Sequence, residues 1–215
     1  MEHTVLCDFD GTITEIDTAE FILDKFAKGN WKAFESQFEN DEITLEECLR
    51  KQFSSVEASK KEMLDALKNI VDFRPNFENL AKYCKKSLIP LVIVSAGLDF
   101  VIEHYLILND WKRLVSSYTP KTKFSHRHVE LVFPKLRDRT ASNFKQDLVR
   151  QHKNIGKRVF YIGDGSGDYA AAKDADYSFA VRGSKLARLC KNNGIQCTDI
   201  INFQEVIDEI RKIAI

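Results

Sequence analysis

Several things are missing from this 215-residue chain, beginning with any excess of charge: 32 Lys and Arg balance 32 Asp and Glu. A neutral sum gives no global electrostatic reason to expect nucleic acid or an anionic membrane as partner. A long apolar run is also missing. The longest, Leu88 to Val94, is interrupted by Pro90 and is far too short to span a bilayer. The five cysteines (Cys7, Cys48, Cys84, Cys190 and Cys197) are an odd number without a CxxC pair, which favours neither a disulfide framework nor a zinc knuckle and reads as reduced thiols. No internal repeat and no low-complexity tract occurs. The first strand begins within a few residues of Met1, so no room is left for a secretory leader, and the expectation is a cytoplasmic protein.

What is present is an ordinary globular composition, 44% hydrophobic and 30% charged, on a chain long enough to bury a substantial core. Four short apolar or β-branched runs read as buried parallel strands: Thr4 to Phe9, Leu88 to Ser95, Arg158 to Ile162 and Tyr177 to Val181. Helical patterns follow them at Leu98 to Leu108, Phe144 to His152, Asp168 to Asp174 and Phe203 to Ile213. The last has Asn202 placed as its N-cap and Arg211 and Lys212 in its final turn. Alternating strand and helix predicts an α/β fold with a Rossmann-like parallel sheet.

From about Thr14 to Asn76 the alternation stops and only helical periodicity remains. Three stripes (Trp31, Phe34 and Phe38; Leu45, Leu49 and Phe53; Met63, Leu67, Ile70 and Val71) read as helix packing rather than a ligand-binding box. An insertion of this length is too long for a loop. It predicts a small helical cap over residues 14–76, inserted into a core made of residues 1–13 and 77–215. Segment Lys121 to Arg139 is polar and basic, with Val129 to Phe133 as a candidate hairpin strand and His126 and His128 read as surface residues.

The chemistry concentrates where strands end. Asp8-Phe9-Asp10-Gly11-Thr12 puts two carboxylates just past the first strand, with Gly11 to permit the turn. One can attack phosphorus while its neighbour handles protons, and both can share a divalent cation. The plain alternative is an acidic turn. Cys7 beside them alternates away from Asp8 into the core. Val92 to Val94 runs into Ser95-Ala96-Gly97, a hydroxyl and free N–H groups ahead of a helix, which suits an oxyanion or serves as a simple cap. Gly163-Asp164-Gly165-Ser166-Gly167-Asp168 ends another strand. There Asp164 is placed to complete an oxygen site of the Mg²⁺ type with Asp8, and Asp168 to cap and orient. Lys145 opens a helix eighteen residues before Gly163, a spacing that returns it to the same edge.

Together these runs resemble the haloacid dehalogenase superfamily, whose four motifs match in order and position. The resemblance implies Asp8 as nucleophile and Asp10 as acid and then base. It implies phosphate held by Ser95, Lys145 and the backbone N–H groups of Phe9 and Ala96, and Mg²⁺ held by Asp8, the Asp10 carbonyl and Asp164. Thr12, Gly165 and Asp168 would support them. The acid at position 10 is the mark of the phosphatases and mutases of the superfamily.

Two cap-bearing groups are similar: the phosphoserine phosphatases and the methionine-salvage phosphatases that act on 2-hydroxy-3-keto-5-methylthiopentenyl-1-phosphate. In the first, an arginine of the cap helix grips the substrate carboxylate, which would be Arg50, and a glutamate reads the amino group. That second position is Asp17 here, and Ala96 replaces a glycine. The expectation is a Mg²⁺-dependent phosphatase for a small phosphorylated metabolite, monomeric or homodimeric, with neither nucleic acid nor membrane as partner. A phosphosugar mutase and a non-catalytic phosphometabolite sensor are the alternatives.

Overall fold

The computed structural model describes residues 2–213. Strand β1 (His3–Cys7) is buried along most of its length and lies at the centre of a six-stranded sheet. The other strands are β2 (Leu91–Val94), β3 (Ser116–Tyr118), β6 (Arg158–Gly163), β7 (Tyr177–Val181) and β8 (Thr198–Ile200). They run in the order β3-β2-β1-β6-β7-β8, and every neighbouring pair is parallel. Chain order reverses at β1, with β2 on one side and β6 on the other. Such a switch point opens a crevice beyond the carboxyl ends of the strands. Asp8, Ser95 and Asp164 each follow one of these three strands, so the connectivity alone brings them to one edge.

Crossover helices α5 (Phe77–Lys86), α6 (Asp99–Leu108), α7 (Phe144–Asn154), α8 (Tyr169–Asp174), α9 (Lys185–Asn192) and α10 (Phe203–Ile213) accompany the strands. The expected run from Leu88 begins as strand only at Leu91: Leu88 has a positive φ of 57° and is exposed, and Ile89 and Pro90 lead in. Strands β3 and β8 and helices α5 and α9 lie outside the sequence expectation. Both strands are three-residue edges, with too few residues to show a period. Among the described residues no helix is long and apolar enough to cross a membrane.

Between β1 and α5 stand four helices: α1 (Thr18–Phe26), α2 (Lys32–Glu39), α3 (Leu45–Ser54) and α4 (Lys60–Leu67). Capping boxes at Thr44/Glu47 and Ser59/Glu62 set the starts of α3 and α4, each satisfying orphan N–H groups reciprocally. The ends of this helical insertion meet side by side. Thr14 bridges Phe73, and the N–H of Arg74 donates to the Ile13 carbonyl at 2.8 Å.

The basic segment forms an antiparallel hairpin, β4 (Lys121–Ser125) and β5 (His128–Val132), with His126 at its turn. It packs against α3. The N–H of Ala58 donates to the Arg127 carbonyl at 3.0 Å, and the Arg127 guanidinium forks onto the Glu62 carboxylate at 2.9 and 3.0 Å. Glu62 therefore caps its own helix and clamps the hairpin. Hydrogen bonds from the Ser59 backbone and hydroxyl, then the Arg127 contact, pull its carboxyl down to about 2.

A depressed carboxylate stabilises the fold above its ordinary value and loses that contribution as pH falls through the folded value. The thermal midpoint of the parent should thus exceed that of Glu62→Gln near neutrality, with the difference shrinking as pH is lowered from about 4.5 toward 2. A pH-independent difference would contradict the clamp.

Candidate active site

Asp8, the first residue past β1, is 6% exposed. Its Oδ1 accepts the N–H of Phe9 at 2.7 Å, and its Oδ2 meets the Lys145 ammonium at 2.8 Å. Lys145 reaches this spot from the first turn of α7 and lies 2.6 Å from Asp168 Oδ1. Asp168 then accepts three further donors: the Tyr161 hydroxyl at 2.6 Å and the N–H groups of Asp164 and Gly165, each at 3.0 Å.

Asp8, Asp164 and Asp168 each offer an oxygen within 4.8 Å of the others. Four donors occupy Asp168, however, so it acts as the anchor of the β6 turn, whereas each Asp8 oxygen has one partner and Asp164 is engaged through Oδ1, which leaves both with lone pairs to spare. Asp164 Oδ1 takes the Thr12 hydroxyl at 2.7 Å. Gly11, at φ 70°, lets β1's turn come so close that a Cβ there would overlap the Asp164 carboxylate. Arg74 steadies that turn from the far end of the insertion, donating to the carbonyls of Thr12 at 2.8 Å and Gly11 at 2.9 Å.

Asp10 is turned the other way. Its Oδ1 accepts the N–H of Thr18 at 3.1 Å and also the Thr18 hydroxyl, while its Oδ2 lies 3.4 Å from Ser95 Oγ. Ser95 Oγ in turn accepts the N–H of Gly97 at 3.1 Å. The two carboxylates that open the sequence motif therefore have separate partners: an ammonium for Asp8 and hydroxyls for Asp10.

Burial first, and then the neighbouring Asp168 charge, push the Asp8 carboxyl well above the usual carboxylate range and Asp164 up to about 7. Burial raises Asp10 too, against the Thr18 hydrogen bonds. At Asp168 burial also pushes upward, but Lys145 and the hydroxyl and N–H donors prevail and hold its carboxyl below the usual range. Four buried or nearly buried carboxylates thus cluster around one ammonium, which pairs with Asp8 and Asp168. The uncompensated oxygens are hard donors with no histidine or cysteine among them, a set that fits an oxygen-seeking divalent cation.

Above this floor lies a cavity of about 330 Å³, roofed by the helical insertion. Leu23, Trp31, Phe38, Leu45 and Leu49 form a carbon-rich wall. The stripes read from sequence as helix packing alone are corrected here, because Trp31, Phe38, Leu45 and Leu49 face the cavity as well. Ala96 lines it beside Ser95.

Asp17 also lines the cavity but caps α1, accepting the N–H of Glu20 at 2.8 Å. Arg50 is not brought to this site. Its guanidinium lies over the Phe133 ring at 5.3 Å and lines a separate cleft between α3 and β5. At the mouth, Lys185 of α9 pairs with Glu39 and, at 3.8 Å, with Glu35 of α2.

Sequence reading alone did not pick out Thr18, Tyr161, Arg74 or Lys185. Tyr161 reads as one more apolar residue of its strand, and Thr18 as a plain helix start. Nothing in their spacing signals a carboxylate partner.

Comparison with known proteins places this geometry. The model of the haloacid dehalogenase-like hydrolases matches residues 5–173. The chain belongs to that family. Curated relatives include the 2-hydroxy-3-keto-5-methylthiopentenyl-1-phosphate phosphatases of Geobacillus kaustophilus and Brevibacillus brevis. The first is 30% identical over 98% of this chain and 96% of its own length, and the second is 30% identical over 97% and 95%. Among solved structures, a substrate-bound phosphoserine phosphatase has a TM-score of 0.74 at 16% identity, covering 97% of this chain and 98% of that one. A phospho-aspartyl intermediate analogue of phosphoserine phosphatase has a TM-score of 0.71 at 17% identity, with the same coverage. These two likenesses are of fold.

Replacing Lys145 by Met would leave the facing Asp8 and Asp168 without their cation. Breaking a buried pair in this way costs about 3–5 kcal/mol, so the thermal midpoint should fall by roughly 10 °C in a chain of this size. An unchanged midpoint in a melting experiment would contradict the anchoring role.

Proposed function

We propose that this hydrolase is a Mg²⁺-dependent phosphatase that removes phosphate from a small metabolite through an aspartyl-phosphate on Asp8. The observation that carries the reading is the division of partners at the paired carboxylates: Asp8 lies against Lys145 and the cation-seeking oxygens, and Asp10 lies among hydroxyls with its carboxyl raised by burial.

In this reading an Asp8 oxygen forms a bond to phosphorus as the bond to the ester oxygen breaks, and Asp10 delivers its proton to that leaving oxygen. Asp10, now a carboxylate, then takes a proton from the water that attacks the phosphoryl group and frees Asp8. Lys145, the Ser95 hydroxyl and the N–H groups of Phe9 and Ala96 would neutralise and orient the phosphoryl oxygens, so that most of the rate comes from positioning and charge. Mg²⁺ held by Asp8, the Asp10 carbonyl and Asp164 would supply the remaining positive charge. Thr12, Gly165 and Asp168 keep those groups in register.

Residues 1–13 and 77–215 would form the catalytic core, and residues 14–76 the cap that excludes water and reads the leaving group. Between the two substrate types, the carbon-rich wall favours the methylthiopentenyl phosphate named for the relatives over phosphoserine. A zwitterionic tail would need a cation for its carboxylate, but Arg50 stands over Phe133 and Lys185 at the mouth is taken up by Glu39 and Glu35.

Phosphate release from an aryl phosphate, from phosphoserine and from 2-hydroxy-3-keto-5-methylthiopentenyl-1-phosphate, with Mg²⁺ and with EDTA, tests both layers. Release should require the metal, and kcat/KM should favour the methylthio substrate over phosphoserine by roughly tenfold or more, the scale of one missing hydrogen bond to a charged group. Metal-independent release would contradict the mechanism, and a preference for phosphoserine would contradict the substrate type.

A further inference from the structure

Glu46 has no place in the chemistry described above, yet it is a buried carboxylate, 8% exposed, on the roof of the site. It lies in the first turn of α3, whose start the Thr44/Glu47 capping box makes rigid. Its Oε1 accepts the N–H of Phe144 at 2.8 Å, across 98 residues of sequence. Phe144 is the first residue of α7, and Lys145 is the second.

The cap of α7 explains why this contact exists. Asn143 Oδ1 accepts the N–H groups of Lys145 at 3.1 Å and Gln146 at 3.0 Å, and leaves that of Phe144 over. A helix start has orphan donors of this kind and favours a nearby negative charge. Glu46 supplies the missing acceptor from α3 of the helical insertion. The same seat includes Leu45, which packs so closely on Gly167 that a Cβ there would lie 3.1 Å from it. Asn143 closes the circle, donating to the Gly167 carbonyl at 3.0 Å.

We infer that Glu46 is a positioning residue which ties the seating of the helical insertion to the setting of Lys145, by completing the first turn of α7 only when α3 is docked. This rests on the phosphatase reading for its consequence in turnover, though not for the contact itself. With α3 lifted, the Phe144 N–H loses its partner and the turn that aims Lys145 at Asp8 loosens. With α3 docked, the ammonium is held where the phosphoryl group would arrive.

Two measurements test it. In the parent protein, amide exchange at Phe144 should slow when Mg²⁺ and inorganic phosphate are added, because occupancy of the site favours docking. Exchange indifferent to phosphate would overturn the inference, and this arm needs no variant. In turnover of an aryl phosphate, Glu46→Ala should lose roughly tenfold in kcat, the scale of one buried hydrogen bond, with little change in KM. Glu46→Gln, which keeps an acceptor oxygen, should recover most of that loss. Parental kcat in Glu46→Ala, or equal damage in both variants, would also overturn it. No release by the parent protein counts against the phosphatase reading, and the exchange arm then decides the inference by itself.

Discussion

The buried ammonium of Lys145, held between Asp8 and Asp168, is the interaction on which the rest of the site depends. Two strand ends, those of β1 and β6, deliver carboxylates to one buried edge, and like charges at such distances repel strongly in a low-dielectric setting. One fixed cation makes the crowd tolerable without neutralising it. The excess negative charge that remains suits a divalent ion, and an incoming anionic phosphoryl group would need that ion's charge beside the ammonium.

Each element of the fold contributes a fixed distance to that centre. The parallel sheet sets the spacing of Asp8, Ser95 and Asp164, because β2, β1 and β6 are adjacent and end within one residue of the same level. Asp168 locks the β6 turn by accepting both of its N–H groups. Arg74 carries the return of the helical insertion directly onto the turn of β1. The insertion is therefore anchored to the turn after β1 at its base, and touches the first turn of α7 and the start of α9 at its roof.

Much of this was legible in the sequence, for a physical reason. A buried parallel strand must be apolar throughout, so β1, β6 and β7 stand out, and acidic residues at their ends have no packing role to explain them. Asp8, Asp10, Ser95, Lys145, Asp164 and Asp168 converge in the structure as that pattern implied. Edge strands β3 and β8 were not legible because three residues carry no period. The cavity wall was read only as helix packing, since Trp31 and Leu45 look the same in sequence whether they cover a core or a ligand. Arg50 came from the resemblance of its run to the cap helix of the phosphoserine phosphatases, but the hairpin β4–β5 beside which it lies over Phe133 comes from a segment with no clear pattern of its own. Thr18, Glu46 and Tyr161 matter only through contacts distant in the chain or masked by ordinary helix and strand signals.

The central claim is that Asp8 accepts the phosphoryl group while Asp10 manages the protons. Peptide mass analysis of an Asp10→Asn variant, quenched in acid during exposure to an aryl phosphate and Mg²⁺, tests it most directly, because loss of the base slows hydrolysis of the intermediate more than it hinders transfer from an activated ester. The account predicts one phosphoryl group on the peptide containing Asp8, located at Asp8 itself. Phosphate on another residue, or turnover that persists in Asp8→Asn, would contradict it.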